Sequence, residues 1–198
     1  MTASARLLIV GPQGSGKGTQ GVRIAESYGI PVISTGDIFR ANIKNGTELG
    51  QQVTSILDRG DLVPDELTSE IVRDRLSQDD AANGFLLDGY PRNAVQVGHL
   101  ESFLSARGEA LDAVILLDVP REESIERLQR RASEQGRSDD TPESIAHRLD
   151  IYEQETAPIL ETYSDRGIVD RIDGVGSLDE ITERISAALD ARGLRVTV

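Results

Sequence analysis

Cysteine is absent from the 198-residue chain, which excludes disulfides, thiolate chemistry and a cysteine-ligated structural zinc. No apolar run approaches the roughly 18 residues a membrane-spanning helix needs, and no basic, apolar leader opens the chain. The expectation is a cytoplasmic protein with no membrane association. Lysine is almost missing, with Lys17 and Lys44 alone, and the formal net charge is −13. Extended nucleic-acid binding relies on basic surface to neutralise phosphates, so nucleic acid is not an expected partner. The two histidines, His99 and His147, have no ligand partners at metal spacing and read as ordinary surface or helix residues. No Ser-His-Asp or Cys-His grouping, internal repeat, low-complexity tract or linker is visible. The length suits one substantial core and is too short for two large independent domains.

Against this background, residues 11–20 read Gly-Pro-Gln-Gly-Ser-Gly-Lys-Gly-Thr-Gln and directly follow the apolar run 7–10, Leu-Leu-Ile-Val. A buried strand running into a glycine-rich loop and then a helix is the order a phosphate-binding P-loop requires. Glycines let backbone N–H groups turn around phosphate oxygens, the helix N-terminus adds partial positive charge, and the lysine reaches the outer phosphates. The spacing of Gly11, Gly16 and Lys17 therefore predicts nucleoside triphosphate binding. The Ser or Thr that usually follows the lysine and holds Mg²⁺ is replaced by Gly18, with Thr19 next. Either the hydroxyl ligand is displaced by one residue, or water and substrate phosphates hold the metal.

Strands are expected at 6–10, 31–34, 85–88, 113–118 and 168–172. Helical patterns begin near residues 16, 35, 47, 65, 93, 121, 141 and 177. This alternation predicts an α/β fold with a parallel sheet covered on both faces. Two interruptions of the βα rhythm, at about 35–63 and 131–141, are placed near the C-terminal ends of the strands, where ligands bind.

Further segments carry chemistry. Residues 34–40 read Ser-Thr-Gly-Asp-Ile-Phe-Arg, in which Ser34 or Thr35 suits a helix N-cap with Asp37 in the first turn. Residues 62–66 read Leu-Val-Pro-Asp-Glu, a proline-led helix start. Residues 84–92 read Gly-Phe-Leu-Leu-Asp-Gly-Tyr-Pro-Arg, with Gln96 beyond. A buried strand ending in Asp88 puts a carboxylate near the P-loop, where it can hold Mg²⁺ through water. Asp118 also ends an apolar strand but lacks such a sequel and is read as structural. Arg127, Arg130, Arg131, Arg137 and Arg148 fall in one short region, and a local arginine cluster in an acidic chain suggests a small anionic ligand.

The segment Gly-Lys-Gly-Thr-Gln, the Ser-Thr-Gly-Asp segment, the Asp-Gly-Tyr-Pro-Arg segment and the arginine region together resemble adenylate kinases, in register from about residue 6 to residue 180. The resemblance implies a P-loop fold with a five-stranded parallel sheet flanked by helices, in one domain spanning 1–198. Its core would comprise 1–33, 64–130 and 142–198, with a helical monophosphate-binding insertion at 34–63 and a short lid at 131–141. It implies reversible transfer of the terminal phosphoryl group of MgATP to AMP, giving two ADP, in adenine nucleotide homeostasis and purine salvage, by a monomer.

Carried over residue by residue, the resemblance assigns ATP to Gly14, Ser15, Gly16, Lys17, Gly18, Thr19, Arg127, Arg131 and Gly176. It assigns AMP to Thr35, Arg40, Asp61, Leu62, Val63, Gly89, Arg92, Gln96, Arg137 and Arg148. Lys17, Asp88, Arg92, Arg131, Arg137 and Arg148 would carry the transfer. Mg²⁺ would be held by no direct protein ligand, but through water by Asp88, with Asp37 as a second candidate. Asp139 and Asp140 would help close the lid. Pyrimidine monophosphate kinases tend to have Ala where this chain has Thr35 and Asn where it has Gln96, so both residues favour adenine. The chain departs from the family at Gln13, and from its long-lid members in having only about ten residues between the flanking helices.

Overall fold

The computed structural model describes residues 4–136 and 140–194. Its sheet consists of β1 (Ala5–Val10), β2 (Val32–Ser34), β3 (Gly84–Asp88), β4 (Ala113–Asp118) and β5 (Val169–Asp173). All pairings are parallel, in the order β2-β3-β1-β4-β5. The helices are α1 (Lys17–Tyr28), α2 (Thr35–Lys44), α3 (Glu48–Asp58), α4 (Asp65–Leu76), α5 (Ala94–Ala106), α6 (Arg121–Gln135), α7 (Pro142–Ile151), α8 (Ile159–Asp165) and α9 (Leu178–Ala191).

Period-two geometry sorts the apolar strand residues onto two covered faces. Leu7 and Ile9, with Leu86 and Ile115, pack against Ile24 of α1 and Ile181, Ile185 and Leu189 of α9. Leu8 and Val10, with Leu87 and Val114, pack against Val72 and Leu76 of α4, Leu100 and Leu104 of α5, and Tyr163 of α8. A strand buried on both sides has no polar alternation, which is why β1, β3 and β4 read as continuous apolar runs. Two smaller clusters lie elsewhere. Phe39, Val53 and Val63 form the core under α2 and α3. Leu128, Ile145 and Leu149 join α6 to α7.

Short polar side chains start the helices where the sequence suggests. Ser34 accepts from the Asp37 N–H, Thr47 from Gly50, Asn93 from Gln96 and Thr141 from Ser144. Ser177 and Glu180 complete a reciprocal capping box at α9.

Three features differ from the sequence expectations. First, α8 was not expected. It follows a π-helical turn at Tyr152–Thr156, closed by the Ala157 N–H donating to Tyr152 O at 2.7 Å. Pro158, next in line, has no N–H to give and cannot extend an ordinary helix through this point. Second, α6 runs on to Gln135 and α7 begins at Pro142, so the connection between the flanking helices is shorter than the ten or so residues expected. Third, a 3₁₀ turn at Asp79–Ala81 precedes β3. Among the described residues no helix is long and apolar enough to cross a membrane.

Candidate functional site

β1 lies at the centre of the sheet, between β3 and β4, so the chain leaves it toward one side and later returns on the other. Such a switch point opens a crevice at the C-terminal ends of the strands. A cleft of about 660 Å³ occupies that edge. It is lined by Gly14, Ser15, Gly16, Lys17, Gly18 and Thr19 from the glycine-rich loop and the start of α1. Thr35, Asp37 and Arg40 of α2, and the 61–63 segment Asp61, Leu62 and Val63, line a second wall. Asp88, Gly89, Arg92 and Gln96 follow β3, and Arg127, Arg131, Arg148 and Gly176 complete the lining. The nucleotide-site residues expected from the sequence thus line one cleft, except Arg137, which lies outside the described residues together with Asp139. Asp140 is not in the lining but is buried against Arg131 and Arg148.

The loop is shaped for an anion. Gly16 precedes α1 with no side-chain hydrogen bond capping the helix, so the first-turn N–H groups have no intrahelical acceptor. Gly14 adopts φ 80°, and a Cβ there would sit 2.6 Å from Ser124 O and 2.9 Å from Leu128 Cγ, so no larger residue fits. The buried Ser15 hydroxyl has no hydrogen-bond partner among the described residues. Lys17 Nζ donates to the carbonyls of Gly11 at 2.9 Å and Pro12 at 3.1 Å. Its pKa is lowered to about 8, chiefly by burial, with Arg92, Arg131 and Arg148 adding to the shift and Asp88 opposing it. Four cations therefore converge on one small volume, a potential suited to phosphate groups.

Opposite the loop, register places Asp88 beside Ile9 of β1 and Ser34 of β2. Burial raises the pKa of the Asp88 carboxyl, against the pull of Lys17 and Arg92. No ion pair to it closer than 4.0 Å is found among the described residues. A Cβ on Gly18 would stand 4.0 Å from Asp88 Oδ2, so the missing side chain leaves space between helix and carboxylate. Asp118, by contrast, is exposed and pairs with Arg171 at 2.9 Å, in keeping with a structural role.

The arginines are held by specific acceptors. Arg127 spans from Glu123 to the carbonyls of Ser15 and Gly174, tying the loop to the β5–α9 connection. Arg131 grips Asp140 bidentately at 2.7 Å, and Arg148 reaches the same carboxylate at 2.5 Å. Arg92 donates from Nε to Gly89 O at 2.8 Å, and Thr35 Oγ1 donates to the same carbonyl at 3.0 Å. Burial lowers the pKa of the Arg92 guanidinium while Asp88 opposes the shift. Gly89 has φ 81°, and a Cβ there would lie 2.9 Å from Thr35 Oγ1, which explains the glycine between these two side chains. Arg40 pairs with Asp37 at 2.7 Å on the exposed rim.

Sequence reasoning missed several contributors. Asp65 accepts from Gln96 Nε2 and from Asn93 Nδ2, each at 2.9 Å. Thr156 donates to Arg92 O at 2.7 Å. His147, read as an ordinary helix residue, bonds Asp61 at 2.7 Å and so bridges α7 to the segment after α3. That hydrogen bond, and the one from Arg59, hold the Asp61 carboxyl below its usual range. Apart from Arg59–Asp61, each pairing joins residues far apart in the chain, and only the motif around Asp65 carried any signal.

Comparison with known proteins agrees with this geometry. The family model described as adenylate kinase matches residues 9–168. The chain is 58% identical over 185 residues to an adenylate kinase of Kocuria rhizophila, covering 93% of this chain and 98% of that one. It is 58% identical over 188 residues to one from Leifsonia xyli, covering 95% and 94%. A third, from Bifidobacterium longum, is 56% identical over 185 residues, covering 93% of this chain and 100% of the relative. The chain belongs to the adenylate kinase family.

Proposed function

We propose that the cleft transfers the terminal phosphoryl group of ATP to AMP, with ATP at the P-loop end and AMP against α2, α4 and α5. The observation that carries this reading is the convergence of Lys17, Arg92, Arg131 and Arg148 at the switch-point edge of the sheet. The AMP phosphate is already an anionic nucleophile, so no general base is needed. In-line positioning and neutralisation of the phosphoryl oxygens supply the catalysis.

Residues 14–19 bind the ATP phosphates through backbone N–H groups, and Lys17 follows the group in flight. Arg127 and Gly176 hold the adenosine end. Arg40, Arg92 and Arg148 fix the AMP phosphate, Thr35, the 61–63 segment and Gly89 enclose the nucleoside, and Gln96 reads the base. Arg131, Arg148 and Arg137 connect donor and acceptor phosphates. The residues fit Mg²⁺ carried in by ATP: the space left by Gly18 in front of Asp88 suits water-mediated contact, with Asp37 as a second carboxylate. Mg²⁺ would supply charge neutralisation at the donor phosphates.

The 34–63 segment acts as the AMP-binding insertion and 131–141 as a short lid, whose closure excludes water. The protein works as a cytoplasmic monomer, and its net charge of −13 supports the absence of nucleic-acid partners. ADP formation from MgATP should be measured with AMP, CMP, UMP and GMP as separate acceptors, beside an ATP-only control. Turnover with AMP alone is expected. A pyrimidine preference would overturn the roles of Thr35 and Gln96. Nucleotide binding without transfer would leave a non-catalytic binding module.

A further inference from the structure

We infer that Asp65 is a specificity-determining positioning residue, which locks the polarity of the Gln96 side-chain amide and thereby sets which purine edge the acceptor site takes. The inference rests on the proposal that Gln96 reads the acceptor base, and it deepens that proposal. Gln96 is 1% exposed and lines the cleft. Its Oε1 accepts from the Arg92 backbone N–H at 2.8 Å, and its Nε2 donates to Asp65 Oδ1 at 2.9 Å.

An amide placed between ambiguous neighbours could turn over and exchange its oxygen and nitrogen. Neither neighbour here is ambiguous. A backbone N–H can only donate and a carboxylate can only accept, so the reversed amide would meet a donor with a donor and an acceptor with an acceptor. Asp65 is itself held in place, because Asn93 Nδ2 donates to the same oxygen at 2.9 Å while the Asn93 side chain caps α5 by accepting from the Gln96 N–H. The lock therefore joins the first turn of α4 to the first turn of α5.

Each end of the amide has two hydrogen-bonding positions, and one at each end is taken. One lone pair on Oε1 and one N–H on Nε2 remain, with fixed places. A 6-aminopurine offers a donor at its exocyclic nitrogen and an acceptor at N1. A 6-oxopurine offers an acceptor at O6 and a donor at N1. The two edges have opposite polarity at both positions, so a locked amide can satisfy one and must leave the other doubly mismatched. A site with fixed polar partners rejects a mismatched analogue far more strongly than one that can adapt.

The test compares kcat/KM for AMP and for inosine monophosphate, nucleotides that differ only in this edge, in full-length protein with saturating MgATP. Asp65→Ala should lower the AMP-over-IMP ratio about tenfold while leaving the KM for ATP unchanged, since a hydrogen bond to a charged acceptor is lost. Asp65→Asn, which keeps an acceptor oxygen, should retain most of the discrimination. Should the alanine variant not fold, Asp65→Ser serves instead, because a hydroxyl that both donates and accepts enforces no polarity. An unchanged ratio in a folded Ala or Ser variant overturns the inference. So does an equal loss in Asp65→Asn, which would point to charge rather than polarity. A parallel Gln96→Ala variant separates the two readings: if it leaves the ratio intact, the base-reading role of Gln96 fails, and if only the Asp65 variants are silent, the lock alone fails.

Discussion

Replacing Asp140 with asparagine removes a negative charge shared by two cleft arginines. Asp140 has a side chain with no exposed surface, and three hydrogen bonds end on it, two from Arg131 and one from Arg148. Without the carboxylate, two guanidinium groups face each other across a neutral amide whose N–H₂ can only add a further donor. Breaking a buried charge cluster by removing one partner costs about 3–5 kcal/mol. Arg131 keeps 24% of its side chain exposed, so water screens part of the loss and about 2–3 kcal/mol is expected. In a chain of this size that lowers the melting temperature by about 4–12 °C.

The pH dependence gives the experiment its sharper edge. Burial alone would raise the Asp140 pKa, but the hydrogen bonds and charges of Arg131 and Arg148 outweigh it and bring the group below 3.8. A depressed carboxyl contributes its stability above the unfolded pKa and loses it as pH falls through the folded value. Denaturant unfolding followed by circular dichroism should therefore show a full gap between the two proteins at pH 7. The gap should begin to narrow below pH 3.8 and close only once pH has fallen through the lower folded value, where a protonated aspartic acid resembles asparagine. Saturating ADP should also narrow it at pH 7, because bound phosphates offer the arginines another anion. A gap under about 0.5 kcal/mol at pH 7, within the range of an ordinary surface change, would refute the reasoning. A gap that persisted in acid would refute it equally.

Three further outcomes are expected. Lys17, with its pKa lowered to about 8, is largely neutral in the free protein above that pH, and bound triphosphate restores its proton. ATP binding at pH 8–9 should take up a proton, measured by calorimetry in buffers of different ionisation enthalpy. Lys17→Met should abolish that uptake and lower kcat about 10²–10³-fold while leaving partial nucleotide binding; wild-type turnover would remove the assigned role. Ser177→Ala breaks the capping box at α9 and should cost about 1 kcal/mol, read as a small fall in melting temperature with kcat unchanged.

Much of the fold could be read directly because local and global signals agree. The strands β1, β3 and β4 announce themselves as apolar runs, and the cap residues Ser34, Thr47, Asn93, Thr141 and Ser177 mark helix starts. Much of the cleft lining was legible for a related reason: the motifs at 14–19, 34–40 and 88–92 each follow directly from a strand, while Arg127, Arg131 and Arg148 lie inside α6 and α7 and stood out by their clustering. What stayed hidden depends on tertiary geometry. The polar run 152–157 followed by Pro158 gives no hint of a π turn, and α8 is too short for helical periodicity to rise above chance, though Ile159 and Tyr163 are both buried. Asp65 looks like a helix-start residue from its neighbours, and its bond to Gln96 spans 31 positions. The His147–Asp61 bridge spans 86. No local pattern encodes which distant partner a polar side chain meets.

The central place of β1 also has a consequence for how the molecule comes into being. Leu8 finds its sheet partners in Leu87 on one side and Val114 on the other, so the strand that feeds the P-loop has no early neighbour as the chain is made. Loop-closure entropy must be overcome twice before this strand is held in place. During synthesis the glycine-rich segment waits, exposed, first for its counterpart Asp88 and then for β4, which lies beyond the midpoint of the chain. Fragments ending before β4 should have no organised phosphate loop. Competence then arrives late and all at once, and a stalled or truncated chain yields no half-working enzyme.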